Sequence, residues 1–511
     1  MAADLSALVA SALRPAAPGS AAPLDVSRGD ERRYALRTLA NGLRVIVCSD
    51  PRTDMAAAAL QVSVGSFSDG DVEGLAHFCE HMCFLGTEKF PDENSFSAFL
   101  NENGGNSNAY TANEVTNYQF DISAGAGGKL REALERFASF FSCPLFTESA
   151  TGRELNAVDS EHAKNLQNDG WRGYQLDKAT SAPGHPYSRF NVGDSRTLRD
   201  EPLARGIDVR RRLLDFHAAH YSASRMTLAV LGSEDVETLA AWATEHFSSI
   251  KNNGSAPPAF AGHPHAGRSG VRQLAVPIKD TRALTVGWAL PEQKSDWRGK
   301  ACSYLSHLLG HEGPGSVLSL LKRHGLAEGL NAGISEDESG FACFGVTVEL
   351  SEAGLARVED VEAVVYAYIG VMRAHGPQRW VFDEVATQAS NSFRFRSQYD
   401  PFGYVTQLAS QLADRADAPE RVMSGEALYF AWEPARVSAV LALFTPENSR
   451  VTIKAKALEP RCDKKEAVYG TKYAEEKAAP EALARLAAVA AAYEGVARRG
   501  RLRRCRRRRR R

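Results

Sequence analysis

Gly74-Leu75-Ala76-His77-Phe78-Cys79-Glu80-His81-Met82-Cys83-Phe84-Leu85-Gly86-Thr87 is the stretch on which the reading of this chain turns. His77, Glu80 and His81 stand at i, i+3 and i+4, a spacing that puts two imidazoles and one carboxylate on a single helical face. Two neutral histidines one turn apart can each point a nitrogen at one zinc ion, and a carboxylate beside them can accept a proton from water there. The order is the inverted zinc-peptidase pattern H-x-x-E-H. Surface helices also carry His and Glu together, so the neighbours decide the matter. Leu75, Phe78, Met82, Phe84 and Leu85 make the other sides apolar, which predicts a helix buried in a domain. Three ionisable groups on a buried face need compensation, and a metal ion supplies it.

Zinc in a hydrolase usually takes three protein ligands and leaves a fourth position open. The best further ligand is Glu161. It lies in the helix-favouring run from Arg153 to Asn165, where Glu154 and Glu161 are seven residues apart and share a face. Glu161 could ligate while Glu154 accepts a hydrogen bond from a ligand imidazole. A solvated helix bearing two glutamates is the plain alternative. Asp159 and His162 point away from that face and are weaker choices, and Cys79 is expected to be packed rather than ligating.

The composition is that of an ordinary soluble enzyme: 511 residues, 44% hydrophobic and 24% charged, enough for more than one domain with large cores. No apolar run of about 18 residues predicts a membrane span. Residues 1–26 are rich in Ala, Ser and Pro but carry Asp4 and only Arg14, a poor match to a transit peptide or secretory signal. Eight cysteines without paired short spacings predict reduced thiols and a reducing compartment, the cytoplasm first and an organelle second. The polar, Gly- and Pro-containing stretch Asn252-Asn253-Gly254-Ser255-Ala256-Pro257-Pro258 reads as a linker. Strand-like runs on either side, Ala59 to Val64 and Leu284 to Leu290, each precede a helix with histidines, which hints at a duplicated α/β unit whose second copy is inactive. Residues 498–511 contain eleven arginines and no acid; without them the chain has 50 basic against 62 acidic side chains, a net charge of −12. Such a tail can bind nucleic acid, but an aberrant terminus is the preferred reading.

Together with their neighbours these segments resemble the insulysin and pitrilysin family of zinc metallopeptidases, most closely the N-terminal half of its insulin-degrading subgroup. The resemblance runs from about residue 30 to 476, through Gly65-Ser66-Phe67, Gly104 to Thr111, Thr116-Asn117-Tyr118, Asn156 to Asn165, Phe190 to Leu198, Gly310 to Ser316 and Tyr469 to Tyr473. It implies an α+β fold of two homologous domains, each an antiparallel-rich sheet packed with helices. It also implies His77, His81 and Glu161 as ligands of one Zn²⁺ per chain, Glu80 as general base and Glu154 as an orienting carboxylate. Asn108 and Ala109 would line a strand edge that takes the peptide. Tyr110, Trp171 and Tyr174 would be apolar pocket contacts, with core packing preferred for Phe84. His307, Gly310, Glu312 and Leu330 would form a distal patch for the substrate's N-terminus, although Ser303, Asn331 and Ile334 depart from the subgroup there. Ser306 to Gly313 carries His307 and His311 at helical spacing, but Gly310 and the following Gly-Pro-Gly weaken a second metal face.

The expected layout is a flexible N-terminus (1–29), a catalytic zinc-binding domain (30–250), a linker (251–268), a second, inactive homologous domain (269–476), and an Ala-rich helix with an Arg-rich tail (477–511). The expected activity is that of a zinc-dependent endopeptidase acting on peptides and small unfolded polypeptides. The alternative is a catalytically incomplete half that binds zinc and peptide and needs a homodimer mate or a second-half partner chain. A nucleic-acid binder driven by the arginine tail comes third, and no membrane partner is expected.

Overall fold

The computed structural model describes residues 24–125, 128–397 and 400–508, with side chains as far as residue 499. The expected flexible segment is thereby outside the described residues up to position 23, as are the side chains of the arginine run beyond 499. Among the described residues the strands make two sheets. The first contains β1 (Arg33–Thr38), β2 (Arg44–Ser49), β3 (Met55–Val62), β4 (Asn106–Thr111), β5 (Thr116–Ser123) and β6 (Met226–Gly232), in the order β1-β2-β6-β3-β5-β4. The second contains β7 (Val271–Ala275), β8 (Ala283–Leu290), β9 (Ala327–Glu338), β10 (Phe341–Leu350), β11 (Ser449–Lys454), β12 (Lys464–Lys465) and β13 (Lys472–Lys477), in the order β12-β13-β7-β11-β8-β10-β9. The helices that bear on the site are α1 (Leu75–Met82), α2 (Leu130–Ser142), α3 (Glu148–Asn165), α4 (Asp169–Ala179), α5 (Val209–His220), α6 (Val236–Phe247), α7 (Ala301–Leu309), α8 (Val358–His375), α9 (Pro401–Asp414) and α10 (Pro480–Arg508).

β2 and β3 are apolar at nearly every position rather than at every second one, so they need cover on both faces. The pleat divides them. Val45, Val47, Ala56, Ala58 and Leu60 enter a core built with α1, α2, α5 and α6. Ile46, Cys48, Ala57 and Ala59 face the other way, onto Tyr404, Val405, Leu408 and Leu412 of α9. A helix from the far end of the chain therefore completes the first sheet. In the second sheet only one face is dry: β8 alternates between buried Leu284, Val286, Trp288 and Leu290 and the half-buried residues between them.

The duplication, faint in the sequence, is plain in the topology. β2-β6-β3-β5-β4 and β7-β11-β8-β10-β9 follow the same order, and each sheet has a single parallel pair at the same place, β2 with β6 and β7 with β11. α1 follows β3, and α7 follows β8 at the equivalent point. α7 spends that position on core packing through Cys302, Tyr304 and Leu305. β4 and β9 are both edge strands, and the turn after β4 meets the β9–β10 hairpin where Asn113 Nδ2 donates to Glu338 Oε1 at 2.8 Å. Further ties join the halves: the Asp169 carboxylate accepts from the backbone N–H groups of Ile278 (2.7 Å) and Lys279 (2.9 Å). The buried Arg172 donates to the carbonyl of Tyr469 at 2.5 Å.

If α9 is the outer cover of the first sheet, Leu408→Ala opens a cavity in a fully buried layer and costs about 2–5 kcal/mol. Urea unfolding of the variant measures it; a loss below about 1 kcal/mol, the range of a surface substitution, would mean that this face is not a core.

Candidate metal centre

α1 begins at Gly74, whose φ of +85° suits glycine. The buried Asp69 carboxylate caps it, accepting from the backbone N–H groups of Gly74 and Ala76 at 2.8 Å each. Leu75, Ala76, Phe78, Cys79 and Met82 are buried in the first core. The helix closes at Met82, with Cys83 as its cap. His77, Glu80 and His81 are left facing α3, which starts where the Thr147 hydroxyl accepts from the N–H of Ala150 at 3.2 Å.

α3 then lays Glu154 and Glu161 over the two histidines. His81 Nδ1 donates to Glu154 Oε1 at 2.7 Å, and His77 Nδ1 donates to the carbonyl of Val192 at 2.7 Å. Both groups can only accept, so each ring donates from Nδ1 and turns Nε2 outward, where it can ligate a metal once its proton has left. The two Nε2 atoms are 3.3 Å apart, and Glu161 Oε2 lies 3.5 Å from each. Among the described residues His77, His81 and Glu161 form the one cluster able to hold a metal ion, with ligand atoms all within 4.8 Å of one another. Two nitrogens bonded at about 2.0–2.1 Å to one tetrahedral zinc ion stand roughly 3.3 Å apart, so the donor set fits zinc in both chemistry and spacing.

The electrostatics agree. Burial disfavours the charge on His81, yet the hydrogen bonds with Glu154 and Glu161 outweigh it and raise its pKa to about 10. His77 is also raised, burial being overcome by Glu161 and Glu80. The hydrogen bonds from both histidines hold the Glu161 carboxyl well below the usual range. Protons thus occupy the site when no cation does. Glu80, 6% exposed, accepts a hydrogen bond from the Thr111 hydroxyl at 2.5 Å. Burial pushes its pKa up, against the pull of His77 and Thr111.

These groups share a cleft of about 500 Å³ with Asn108, Ala109, Tyr110 and Trp171, and Phe84 lines it too while packing its ring against Phe96, Tyr118 and Phe140. Tyr174 stands behind Trp171 and does not itself line the cleft: its ring meets those of Trp171 and Tyr187, and its hydroxyl donates to Asn113 Oδ1 at 3.2 Å. His307 and Gly310 sit at the end of α7, Glu312 in the loop beyond, and Leu330 on β9 against the second core; none of them lines the cleft. His311 falls outside α7 and uses Nδ1 to accept from the N–H of Gly313, so it makes no metal face with His307. Asp159 accepts from the backbone N–H of Ser195 (2.6 Å), and His162 packs on Phe190 and Tyr469.

Sequence reasoning missed Val192, Asp69 and the glycines between them. A Cβ on Gly74 would meet Gly193 Cα at 2.4 Å, so this contact sets the distance from α1 to the loop whose carbonyl orients His77. Only the left-handed φ of both glycines, +85° and +82°, hints at it locally.

Three profiles of one peptidase family match in succession: "Insulinase (Peptidase family M16)" over residues 44–184, "Peptidase M16 inactive domain" over 208–389 and "Middle or third domain of peptidase_M16" over 393–494. The chain is 45% identical over 450 residues to an insulin-degrading enzyme of Homo sapiens, covering 88% of this chain and 44% of that protein. It is 41% identical to the a-factor-processing enzyme of Saccharomyces cerevisiae, covering 87% of this chain and 43% of that one. A crystal structure of pitrilysin superposes with a TM-score of 0.87 at 28% identity, covering 92% of this chain and 50% of pitrilysin. The first half of the periplasmic protease PqqL of Escherichia coli shares the fold, with a TM-score of 0.67 at 17% identity, covering 93% of this chain and 98% of that one. The chain thus spans under half the length of the curated relatives it matches.

Two outcomes follow from the geometry. Because His81 is protonated below about pH 10 in the metal-free protein, zinc uptake at neutral pH releases protons, and affinity falls as the pH is lowered; a weakly buffered titration without proton release would contradict this. Gly193→Ala drives a Cβ to 2.6 Å from Leu198 Cδ1 and strains the loop, and loosening the orienting carbonyl of Val192 lowers zinc affinity about 10–100-fold. Chelator competition reads that change, and an unaltered affinity would remove Val192 from the site.

Proposed function

The chain belongs to the insulinase family, peptidase family M16, and from that premise we propose that it is a zinc-dependent endopeptidase of peptides and small unfolded polypeptides. The observation that carries the reading is the convergence of His77 Nε2, His81 Nε2 and Glu161 Oε2 beside the buried Glu80. In this reading His77, His81 and Glu161 hold one zinc ion, and Glu154 and the Val192 carbonyl fix the imidazoles. Zinc, when bound, supplies the Lewis acidity that polarises a carbonyl and brings the pKa of water toward neutrality. Glu80 takes the proton from the attacking water and returns it to the departing amine. Its burial favours that exchange, since a carboxylate raised above its ordinary range is the stronger base. The Thr111 hydroxyl holds one carboxylate oxygen still.

The peptide adds to the open edge of β4 through backbone hydrogen bonds along Asn108, Ala109 and Tyr110, with Trp171 across the cleft. His307, Gly310, Glu312 and Leu330 take the substrate's N-terminus at a distance from the zinc, and Tyr174 contributes beside Trp171 on α4. Residues 30–250 act as the catalytic domain, 251–268 as a linker and 269–476 as the inactive copy. Among the described side chains seven cysteines are unpaired thiols, which suits a reducing compartment, cytoplasmic or organellar. Among the described residues no helix is long and apolar enough to cross a membrane.

A second reading is favoured by length: the chain spans 44% of the human relative. A half that binds zinc and peptide, and that a homodimer mate or a partner chain completes, would leave the cleft open to water when alone and lose positioning. One comparison separates the two. The zinc-loaded chain and its Glu80→Gln variant are incubated with quenched fluorescent peptides. For a self-sufficient enzyme the variant keeps its zinc while its rate falls about 100-fold or more, the loss of a general base. Stoichiometric zinc without cleavage by either protein means an incomplete half, and cleavage that Glu80→Gln leaves unchanged sinks the mechanism.

A further inference from the structure

Trp171 lines the metal cleft, but Gly173, Tyr174 and Asp177, further along α4, line a second cavity of about 490 Å³. Its other wall is the half-buried face of the second sheet, whose floor of Thr285, Gly287, Gly345, Thr347 and Thr452 is small and flat. Most charges around it are committed. Asp177 meets Arg450 Nη1 at 3.2 Å and His265 Nε2 at 3.4 Å, and it accepts from the Tyr187 hydroxyl at 2.9 Å. Arg450 also donates to Thr180 and approaches Glu475 at 3.8 Å. Lys454 differs: among the described residues its ammonium makes no ion pair within 4.0 Å and no hydrogen bond, with Asp177 and Asp169 acting on it only from farther away. Glycine inside a helix is destabilising, yet Gly173 of α4 sits over this ammonium, where a Cβ would come within 2.7 Å of Nζ. The glycine keeps room above an unpaired, half-buried cation.

We propose that this cavity is a second substrate site, in which Lys454 binds a single carboxylate of the peptide while Tyr174 and Ile334 cover its aliphatic part. The proposal rests on the peptidase reading, because α4 is the wall that the cavity and the metal cleft share. A carboxylate fits better than a phosphate, because among the described residues of the lining one cation is free and it matches a single negative charge. The carboxylate comes from an acidic side chain or from the C-terminus of the peptide.

The test uses the zinc-loaded Glu80→Gln chain, so that peptide is not consumed, and fluorescence anisotropy with four peptides of one sequence. They carry an internal Glu or Gln, each with a free or amidated C-terminus. The peptide bearing the recognised carboxylate binds about tenfold tighter than its neutral counterpart, as a charged hydrogen bond warrants; which of the two changes matters identifies the source. Adding Lys454→Met abolishes the difference, and Lys454→Arg keeps most of it. Equal binding of all four peptides, no binding of any, or a preference that survives Lys454→Met overturns the site. Cleavage by the parent chain is scored separately: Glu80-dependent cleavage with equal binding defeats the site alone, and carboxylate-dependent binding without cleavage defeats the peptidase reading alone.

Discussion

The cleft depends on the packing of one polar helix face against another. α1 buries Glu80 and half-buries His77 and His81 on a helix whose remaining sides belong to the core, and a face of that kind is unstable unless each polar atom has a partner. α3 provides the partners at a spacing of two turns. Glu154 satisfies the outer nitrogen of His81, and Glu161 stands where both inner nitrogens converge. A one-residue rotation of α3, about 100°, would break the set, and the neighbouring face is already occupied: Asp159 holds the backbone of Ser195, and His162 is packed among aromatic rings. The register of α3 is therefore held from both sides, and the metal site inherits that precision.

The second copy of the fold makes the same point by contrast. β7 to β11 repeat the order and the parallel pair of β2 to β6, so backbone topology alone does not create the site. Where α1 carries H-x-x-E-H, α7 carries Cys302, Tyr304 and Leu305 into its own core. The two sheets also differ in cover. α9 seals the outer face of the first with Val405, Leu408 and Leu412, whereas the corresponding side of the second remains lined by threonines and glycines and opens into a cavity.

What was legible in the chain is what is written in local periodicity. The three residues of H-x-x-E-H and the seven-residue interval from Glu154 to Glu161 are helical spacings, and the structure brings them together. The edge position of Asn108 and Ala109 came from the family resemblance rather than from periodicity, and both lie on the edge strand β4. The cover of the first sheet was not legible: Tyr34 and Tyr404 share a hydrogen bond across 370 positions, and no periodicity spans such a distance. The same holds for the contact of Gly74 with Gly193 and for the Val192 carbonyl, where the functional atom is backbone and leaves no residue-type signature. Tyr174 shows a finer limit. It is three residues from Trp171 on the same face of α4, and the two rings meet edge to face at 6.2 Å, yet Trp171 lines the metal cleft and Tyr174 the neighbouring cavity.

Among the described residues two of the four edge strands, β4 and β9, stand side by side. An unpaired edge strand invites another strand, and proteins usually blunt or cover it. β4 and β9 are both edges, and Asn113 ties the turn after β4 to Glu338 at the end of β9, so the two edges are held in a fixed relation. Lys294 reinforces the junction, 3.5 Å from Glu338 and 3.8 Å from Glu114. Under the proposed function, a fixed pair of edges would suit an extended peptide, because the scaffold has met the entropic cost of alignment before binding. The same edges would also accept a strand from another copy of the chain. Under the proposed function, peptide capture and strand-to-strand self-association would compete for one set of backbone groups.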